Sequence, residues 1–432
     1  MSKTGTILDY MGEAQGVIGD NELEPFKPGK PSEHEHGVVY YAPWDTLADG
    51  FSEHSRRTAL ALQKAGKNVH LRTFGARMFI ARSAEELVVD RLVAHLTNAS
   101  IKTYDAQIFQ FVPTDEKLQR HVVHQFWGPD ELAAINSMKI IYNVWERQWV
   151  SPAVVYCLNQ MARVWVACED NRQMLKRCGV DGKKIWVIPV PFREDDPLLK
   201  IRSQVRVPGP VRFYHIGKWE PRKEQRNILG AFLMAFKPGE AKIYLRSAQL
   251  NTPVEDYPQS PEVCVHEWMK NEDVQANGWS IEKANQDIFL VKKRLTDQQI
   301  HQLHRMGDVY VTMSRGEGFD MPAFDAKLAG NLMVYVPSGG PQDFASTDDV
   351  IVPTSGEITC HPFYGWGEST YLDYELEDAV AGLKKAREMI LDGRKREREL
   401  GRLDHFTEGC VGMTMSVCVD EVIASYVKPV GA

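Results

Sequence analysis

Residues 38–71 have the sequence VVYYAPWDTLADGFSEHSRRTALALQKAGKNVHL, and their pattern is the clearest indication of the fold class. It opens with a short apolar strand candidate at residues 38–41. An amphipathic helix candidate follows, with Ser52 as its expected N-cap, and Gly66 ends that helix. The next strand begins at Val69. A strand, a helix and a second strand in so short a stretch predict one βαβ unit with parallel strands.

The same alternation recurs along the chain. Further strand candidates lie at 107–112, 122–124, 139–144, 164–167, 184–188, 211–217, 242–245, 288–290, 309–311 and 333–336. Further helix candidates lie at 170–178, 226–236, 296–306, 376–391 and 413–427. We therefore expect an α/β fold with two Rossmann-like, doubly wound domains that face a cleft.

Proline-rich breaks and one irregular stretch divide the chain into segments. Between residues 191 and 210 several prolines interrupt the alternation, so we interpret this stretch as a linker. The expected segments are a polar extension at 1–37, an N-terminal domain at 38–190, the linker at 191–210, a C-terminal domain at 211–408 with an insertion at about 247–287, and a C-terminal helix at 409–432.

Composition and charge narrow the classes of protein. A chain of 432 residues is too long for one hydrophobic core, and its 43% hydrophobic and 25% charged residues are ordinary for a folded soluble protein. No apolar run approaches the roughly 20 residues of a membrane span, and the first residues lack a signal-peptide core, so we expect a cytoplasmic location. The seven cysteines form no CxxC pair, and the net charge of -7 gives no overall attraction to nucleic acid.

The sequence SRGEGFDMPAFD at residues 314–325 carries the strongest indication of chemistry. It follows a predicted strand and opens a predicted helix, and Pro322 suits the first helical turn, where its missing N–H costs nothing. Its glycines allow a ligand to approach the backbone closely. The free N–H groups and the positive end of the helix dipole favour phosphate. Glu317 and Asp325 lie eight positions apart, so they could reach two parts of one long ligand.

A second polar segment, HIGKWEPRK at residues 215–223, follows the first strand of the second half. Lys218, Arg222 and Lys223 place three cations within six residues. Ligands of α/β sheets bind at the carboxyl ends of strands, and cations there would neutralise a diphosphate through charge-assisted hydrogen bonds. For this segment taken alone, a solvated basic turn is the alternative interpretation.

Together these two segments resemble the motifs of retaining glycosyltransferases of the GT-B fold, family GT4. The segment 314–325 is similar to that family's Glu-x7-Glu signature, with Asp325 in place of the second Glu and Asp320 where Gly is usual. The segment 215–223 is similar to its Gly-Arg…Arg-Lys-Gly motif, with Lys218 at the first Arg position.

The resemblance covers roughly residues 38–430, apart from the expected insertion. It implies that the C-terminal helix crosses back to the N-terminal domain and that Glu317 is catalytic. It implies a donor diphosphate site at Lys218, Arg222, Lys223, Gly318 and Phe319, and a site for the donor sugar and ribose at Glu317, Asp325, Asp320 and Met321. No metal and no cofactor are implied, and a UDP-sugar or GDP-sugar would be the donor substrate.

Two residues of the N-terminal half are weaker candidates. Family members often place a histidine of this domain at the sugar, and His124 ends a predicted strand, so we expect a catalytic role for it. The neighbouring stretch 107–113 competes for the same strand, and a structural histidine is the alternative. Gly50 corresponds to the family's first glycine-rich loop.

We therefore predict an enzyme, a metal-independent retaining glycosyltransferase (hexosyl- or related transferase). Its acceptor class stays open among polysaccharide, lipid, small molecule, protein and modified nucleic acid, as do the sugar, the base and the oligomeric state. One alternative is a non-catalytic nucleotide-sugar or carbohydrate-binding protein. Another is a glycoside hydrolase or phosphorylase that uses Glu317 and Asp325 as its carboxylate pair, although a loop residue and a helical residue seldom face each other across one bond.

Overall fold

A computed structural model describes residues 32–42, 50–73, 96, 99–110, 139–201, 209–249, 257–292, 295–362, 368–394 and 400–426. The chain divides into two compact units. The first unit contains the described residues up to Glu194 and those from Gly401 onward. The second unit contains the described residues of Asp195–Leu400.

A six-stranded parallel sheet forms the centre of the first unit, in the order β2-β1-β3-β4-β5-β6. Its strands are β1 (Glu33–Ala42), β2 (Val69–Thr73), β3 (Ser100–Gln110), β4 (Lys139–Asn143), β5 (Arg163–Val166) and β6 (Ile185–Val187). The helices are α1 (Gly50–Lys64), α2 (Pro152–Gln160) and α3 (Glu169–Cys178). Val38 pairs with Val69 in parallel register, which confirms the predicted βαβ unit.

A second six-stranded parallel sheet forms the centre of the second unit, in the order β12-β11-β10-β7-β8-β9. Its strands are β7 (Val211–Trp219), β8 (Ala241–Gln249), β9 (Ile288–Val291), β10 (Val309–Thr312), β11 (Leu332–Tyr335) and β12 (Val350–Ile351), and the antiparallel hairpin strands are β13 (Gly356–Thr359) and β14 (Thr370–Asp373). The fold-class prediction of two doubly wound parallel sheets is confirmed.

Helices cover this second sheet. They are α4 (Gln225–Ala235), α5 (Pro261–Trp268), α6 (Glu272–Ala276), α7 (Ile281–Asp287), α8 (Asp297–Met306), α9 (Met321–Leu328), α10 (Pro341–Phe344) and α11 (Leu376–Leu391). Short 3-10 helices occupy Pro197–Lys200 and Pro221–Lys223. The stretch interpreted as an insertion contains α5, α6 and α7, which connect the parallel neighbours β8 and β9.

The end of the chain returns to the first unit, as expected. After α12 (Leu400–Leu403) and a 3-10 helix (Asp404–Phe406), α13 (Glu408–Tyr426) packs on α1. The approach is close, because a Cβ atom on Gly412 would overlap the backbone oxygen of Ala61. Indole Nε1 of Trp165 also donates to Cys418 Sγ at 3.0 Å.

Two local predictions are wrong. Helix α13 begins at Glu408, five residues before the predicted start, because the side chain and carbonyl of Thr407 accept from the N–H groups of Cys410 and Val411. Ser52 is not the N-cap of α1, since that helix begins at Gly50 and Ser52 is buried within its first turn. The strand predicted at 122–124 lies outside the described residues.

The strand order of the second sheet has a reversal point, and ligands of α/β sheets bind at such points. From β7 the chain proceeds to β8 and β9 on one side, and then to β10, β11 and β12 on the other side. The direction of winding therefore reverses between β7 and β10, which pair with each other. In open α/β sheets, ligands bind beyond the carboxyl ends of the strands at this reversal. Both polar segments, 215–223 and 314–325, lie at this point.

Candidate functional site

The buried side chain and backbone of Arg222 connect the two polar segments, 215–223 and 314–325, through hydrogen bonds. Its guanidinium donates through Nη1 to the carbonyl of Gly316 at 2.5 Å and through Nη2 to Glu220 Oε1 at 2.7 Å. Its own carbonyl accepts from the N–H of Arg315 at 3.0 Å. Because Arg222 is only 4% exposed and makes these contacts, it holds the loop after β10 against the 3-10 helix after β7.

An ion pair between Lys223 and Glu317 stands at the centre of the site. Lys223 Nζ donates to Glu317 Oε1, and Arg222 Nη1 lies 3.2 Å from the same oxygen. Burial alone would raise the pKa of the Glu317 carboxyl, but the charges of Lys223 and Arg222 hold that pKa below its ordinary value. Glu317 is therefore ionised at neutral pH while it is almost fully buried.

The backbone around Glu317 is fixed by the loop Ser338-Gly339-Gly340. Ser338 Oγ accepts from the N–H of Glu317 at 3.0 Å. A Cβ atom on Gly339, where φ is +64°, would overlap the carbonyl oxygen of Glu317, and one on Gly340 would overlap that of Phe319. Only glycine allows the two loops to approach so closely.

Asp320 is the N-cap residue of α9 and has an unusual backbone. Its φ of 61° and ψ of 68° are left-handed, which non-glycine residues seldom adopt. The side chain is 5% exposed, and its Oδ2 accepts from Thr312 Oγ1 at 2.7 Å. Burial and then the neighbouring Glu317 carboxylate raise the pKa of Asp320 to about 6, although the N–H of Ala323 lies near enough to favour the charged form.

Other predicted donor-site residues occupy different environments. The ring of Phe319 packs in a buried aromatic cluster with Phe324 and Phe344, so only its backbone can face a ligand. Gly318 and Met321 are buried, and Asp325 is half-buried on α9. Lys218 is exposed at the end of β7.

Of the two candidates of the N-terminal half, the structure describes only Gly50. Gly50 is the exposed first residue of α1 in the first unit. His124 lies outside the described residues.

Sequence reasoning missed the buried His215. Its Nδ1 lies 2.8 Å from the carbonyl of Val311, and its Nε2 lies 3.3 Å from Gln225 Nε2. Burial lowers the pKa of His215 to about 4, so the ring is neutral, with the Nδ1 proton donated to the carbonyl. Its position inside strand β7, two residues before Gly217, is the sequence feature that could have indicated it.

Sequence reasoning also missed the contacts of Arg315, which hold the start of segment 314–325 in place. Arg315 Nε donates to Glu224 Oε1 at 2.7 Å, its Nη1 pairs with Asp373, and its guanidinium lies over the ring of Tyr374. Because Glu224, Asp373 and Tyr374 already contact its guanidinium, we assign Arg315 a structural role. These contacts hold the start of segment 314–325 against Glu224 and Asp373.

No protein-family model and no curated protein matches this chain. Solved structures match nearly its whole length. A glycosyltransferase from Rickettsia africae covers 90% of this chain and 99% of its own, with 11% identity and a TM-score of 0.58. The α,α-trehalose 6-phosphate synthase of Burkholderia multivorans covers 91% and 100%, with 12% identity and a TM-score of 0.57.

The Alr3699/HepE protein of Anabaena, in complex with UDP-glucose, covers 91% of this chain and 99% of its own, with 12% identity and a TM-score of 0.51. This chain has the GT-B fold. At identities this low, the likeness establishes the GT-B architecture and leaves the activity to be argued from the site.

Proposed function

We propose that this GT-B protein is a glycosyltransferase that moves a sugar from a nucleotide-diphosphate sugar to an acceptor, with retention of configuration and without a required metal. The observation that carries the proposal is the Lys223–Glu317 pair, which lies at the point where strand winding reverses, beside the N-terminus of α9. The second unit would bind the donor, and the first unit would bind the acceptor.

Positive charge at this point suits a diphosphate. Lys223 supplies one ammonium group, and the N-terminus of α9 supplies the positive end of a helix dipole. The backbone of Gly318 and Phe319 lies immediately before this helix. Exposed Lys218 would add a more weakly held charge at the rim. These groups would stabilise the charge that develops on the leaving diphosphate.

The proposed role of Glu317 depends on Lys223 exchanging this carboxylate for a bound diphosphate. A bound diphosphate would compete with Glu317 for Lys223, while Arg222 would keep the carboxylate in place. The carboxylate would then accept hydrogen bonds from hydroxyl groups of the transferred sugar. Ser338 fixes the backbone of Glu317 for this purpose. Such pre-organised electrostatic contacts are typically the largest contribution to catalysis.

The remaining predicted residues fill supporting roles in the proposal. Asp325, half-buried on α9, would bind the ribose, and Asp320 and Met321 would line the sugar site. His124 and Gly50 would act from the acceptor side. Retention of configuration is what the family resemblance implies.

A non-catalytic nucleotide-sugar-binding protein is the second candidate function. It is favoured by one observation: Arg222 and Lys223 both pair with Glu317, which reduces the positive charge offered to a donor. The two functions differ in turnover, because a binding protein would retain the donor unchanged.

Metal independence is testable from the same site. Within the described ranges, no group of three histidine, cysteine, aspartate or glutamate residues could hold a metal ion. Loss of activity on addition of EDTA, with recovery on addition of Mg²⁺, would contradict the metal-free proposal.

Within the described residues, no helix is both long and apolar enough to cross a membrane.

The test begins with a thermal-shift screen of UDP, GDP, ADP and their common sugars, with and without Mg²⁺. A ligand at 100 times its dissociation constant stabilises the native state by about 2.7 kcal/mol. We expect one base to shift the melting temperature independently of Mg²⁺. The matching nucleotide sugar is then incubated with the protein, and release of nucleoside diphosphate is followed.

Released nucleoside diphosphate, with an anomeric configuration retained in the NMR spectrum of the product, is the expected outcome. Binding without release, across an acceptor panel that covers oligosaccharides, lipids and proteins, would favour the binding protein. No shift with any nucleotide would overturn both functions.

A further inference from the structure

Asp320 places an acidic side chain at the start of α9, where the proposed function requires a diphosphate. The Oδ2 atom is held by Thr312 Oγ1 at 2.7 Å. The Oδ1 atom has no hydrogen-bond partner in the described part of the chain, although the carboxyl is almost fully buried. An unpartnered buried carboxylate oxygen is costly, and such atoms in native structures require an explanation.

Charges around Asp320 are already balanced without it. Glu220 and Glu317 are two carboxylates that face two cations, Arg222 and Lys223. An ionised Asp320 would therefore leave one uncompensated negative charge in a buried cluster. The helix dipole of α9 opposes this cost, but burial and the Glu317 charge exceed it, which keeps the pKa of Asp320 near 6.

Several elements surround this carboxyl. The titratable and charged groups that face it are Glu317 on its own loop, Lys223 on the 3-10 helix after β7, and Tyr310 on β10; His215 on β7 faces Glu317 and Lys223 and is neutral. Lys223 is the one of these charged groups that favours an ionised Asp320, beside the neutral donors Thr312 and the N–H of Ala323, and Lys223 is the cation that a diphosphate would take as its own partner.

We propose that Asp320 takes up one proton from solvent when a nucleotide-diphosphate sugar binds, so that donor affinity falls as the pH rises. This inference rests on the proposed donor site. The bound diphosphate removes the support of Lys223 and adds negative charge, and both changes favour the neutral carboxyl. The protonated Oδ1 becomes a donor and can give a hydrogen bond to a phosphate oxygen, where the ionised form would repel it.

The backbone provides matched variants for a test. Asparagine has nearly the shape of aspartate and tolerates left-handed φ values, so Asp320→Asn keeps the conformation and the Thr312 contact while it removes the titration. Glycine is also favoured at this φ, so Asp320→Gly is the second variant if the amide fails to fold.

The measurement is titration calorimetry with UDP-glucose and GDP-mannose, whose diphosphates are diesters and keep a constant charge near neutral pH. Titrations at about pH 5.5 and about pH 8, each in two buffers with different ionisation enthalpies, count the protons that are taken up on binding. For the wild type we expect uptake of close to one proton at the higher pH. Above the pH range in which Asp320 titrates in the protein without donor, the affinity for nucleotide sugar should fall by up to tenfold per pH unit.

Asp320→Asn should bind with equal affinity at both pH values and should bind more tightly than the wild type at the higher one. Binding by the wild type that is independent of pH and buffer would overturn the role of Asp320 and leave the proposed function intact. A pH dependence that persists in both Asp320 variants would also overturn it. No binding of either nucleotide sugar at either pH would overturn the donor site itself, and this inference with it.

Discussion

The two ends of helix α9 both carry buried charges, but they are built differently. Near its C-terminus, Lys327 Nζ lies 2.8 and 2.7 Å from the two carboxylate oxygens of Asp349. Asp349 also accepts from the N–H groups of Met333 and Ser346, so each of its oxygens has two donors. At the N-terminus, Asp320 has a left-handed backbone and an oxygen without a partner among the described residues.

This difference separates a structural pair from a candidate site. Burial lowers the pKa of Lys327 and raises that of Asp349, and the opposite charge of each partner opposes that shift. The pair is complete and leaves nothing for a ligand. Backbone strain, an excess carboxylate and an unsatisfied oxygen coincide only at the Asp320 end, and such features concentrate at functional sites.

The largest effect on stability is expected from Lys327→Met. It leaves the buried Asp349 without its cation, and breaking a buried pair in this way costs about 3–5 kcal/mol of unfolding free energy. In the variant, the folded-state pKa of Asp349 is raised further above its unfolded value, because Lys327 no longer lowers it. The ionised form is therefore penalised in the folded state, and the loss of stability should grow as the pH rises. Urea unfolding followed by circular dichroism measures it.

Two controls sharpen this prediction. Lys384→Met removes an exposed lysine of α11 and should change stability little. The double variant Lys327→Met/Asp349→Asn removes both charges, keeps an amide oxygen that can accept from a backbone N–H group, and should recover part of the loss. A single variant as stable as the wild type would show that Lys327 is not required, and the contrast between the two ends of α9 would fail.

Much of the fold could be predicted from the sequence, because its β/α periodicity is strong. The helix predicted at 226–236 is found at Gln225–Ala235, and the one at 376–391 is found with the same bounds. The crossover helices α5, α6 and α7 were not predicted, because each is too short to show an amphipathic period. Their caps Ser260, Asn271 and Ser280 were visible in the sequence, and each accepts a hydrogen bond from its helix.

The candidate site was predicted only in part, for a physical reason. The spacing of strands indicated that Lys223 and Glu317 lie at neighbouring strand ends. It could not show that they pair with each other, because a contact across 94 positions depends on the order of strands in the sheet. The pairing of Lys327 with Asp349 was hidden for the same reason, since an ordinary helical lysine carries no distinctive pattern.

The largest effect on activity is expected from Glu317→Gln. Removing one pre-organised charged group from a transition state typically lowers turnover by about 10²–10³-fold. Nucleoside diphosphate binding should stay the same or tighten, because Lys223 loses its competing partner. Turnover and ligand affinity are measured separately. The exposed carboxylate variant Glu357→Gln is the control, and full turnover in Glu317→Gln would remove Glu317 from the mechanism.

Lys223→Ala is expected to have a smaller effect, and mainly on binding. Charge-assisted hydrogen bonds contribute about 1.5–3 kcal/mol, so affinity for nucleoside diphosphate should fall by about tenfold to 150-fold. With its main counter-charge removed, Glu317 should show a higher pKa, and activity should shift to higher pH. Calorimetry and a pH profile of turnover measure the two effects, and unchanged affinity would contradict the proposed diphosphate contact.

Lys218→Ala should have the smallest effect, because Lys218 is exposed whereas Lys223 is almost buried. An exposed cation acts through solvent and is screened by salt, so its contribution is about 0.2–1 kcal/mol at low ionic strength. We expect up to about a fivefold loss of affinity for nucleoside diphosphate in low salt. At about 1 M salt, where the Debye length is about 3 Å, this loss should disappear while that of Lys223→Ala persists. If Lys218→Ala lowered the affinity as much as Lys223→Ala does, and the loss persisted in high salt, Lys218 would be buried against the bound ligand. The exposure of each lysine in the protein without ligand would then not predict which one binds the diphosphate.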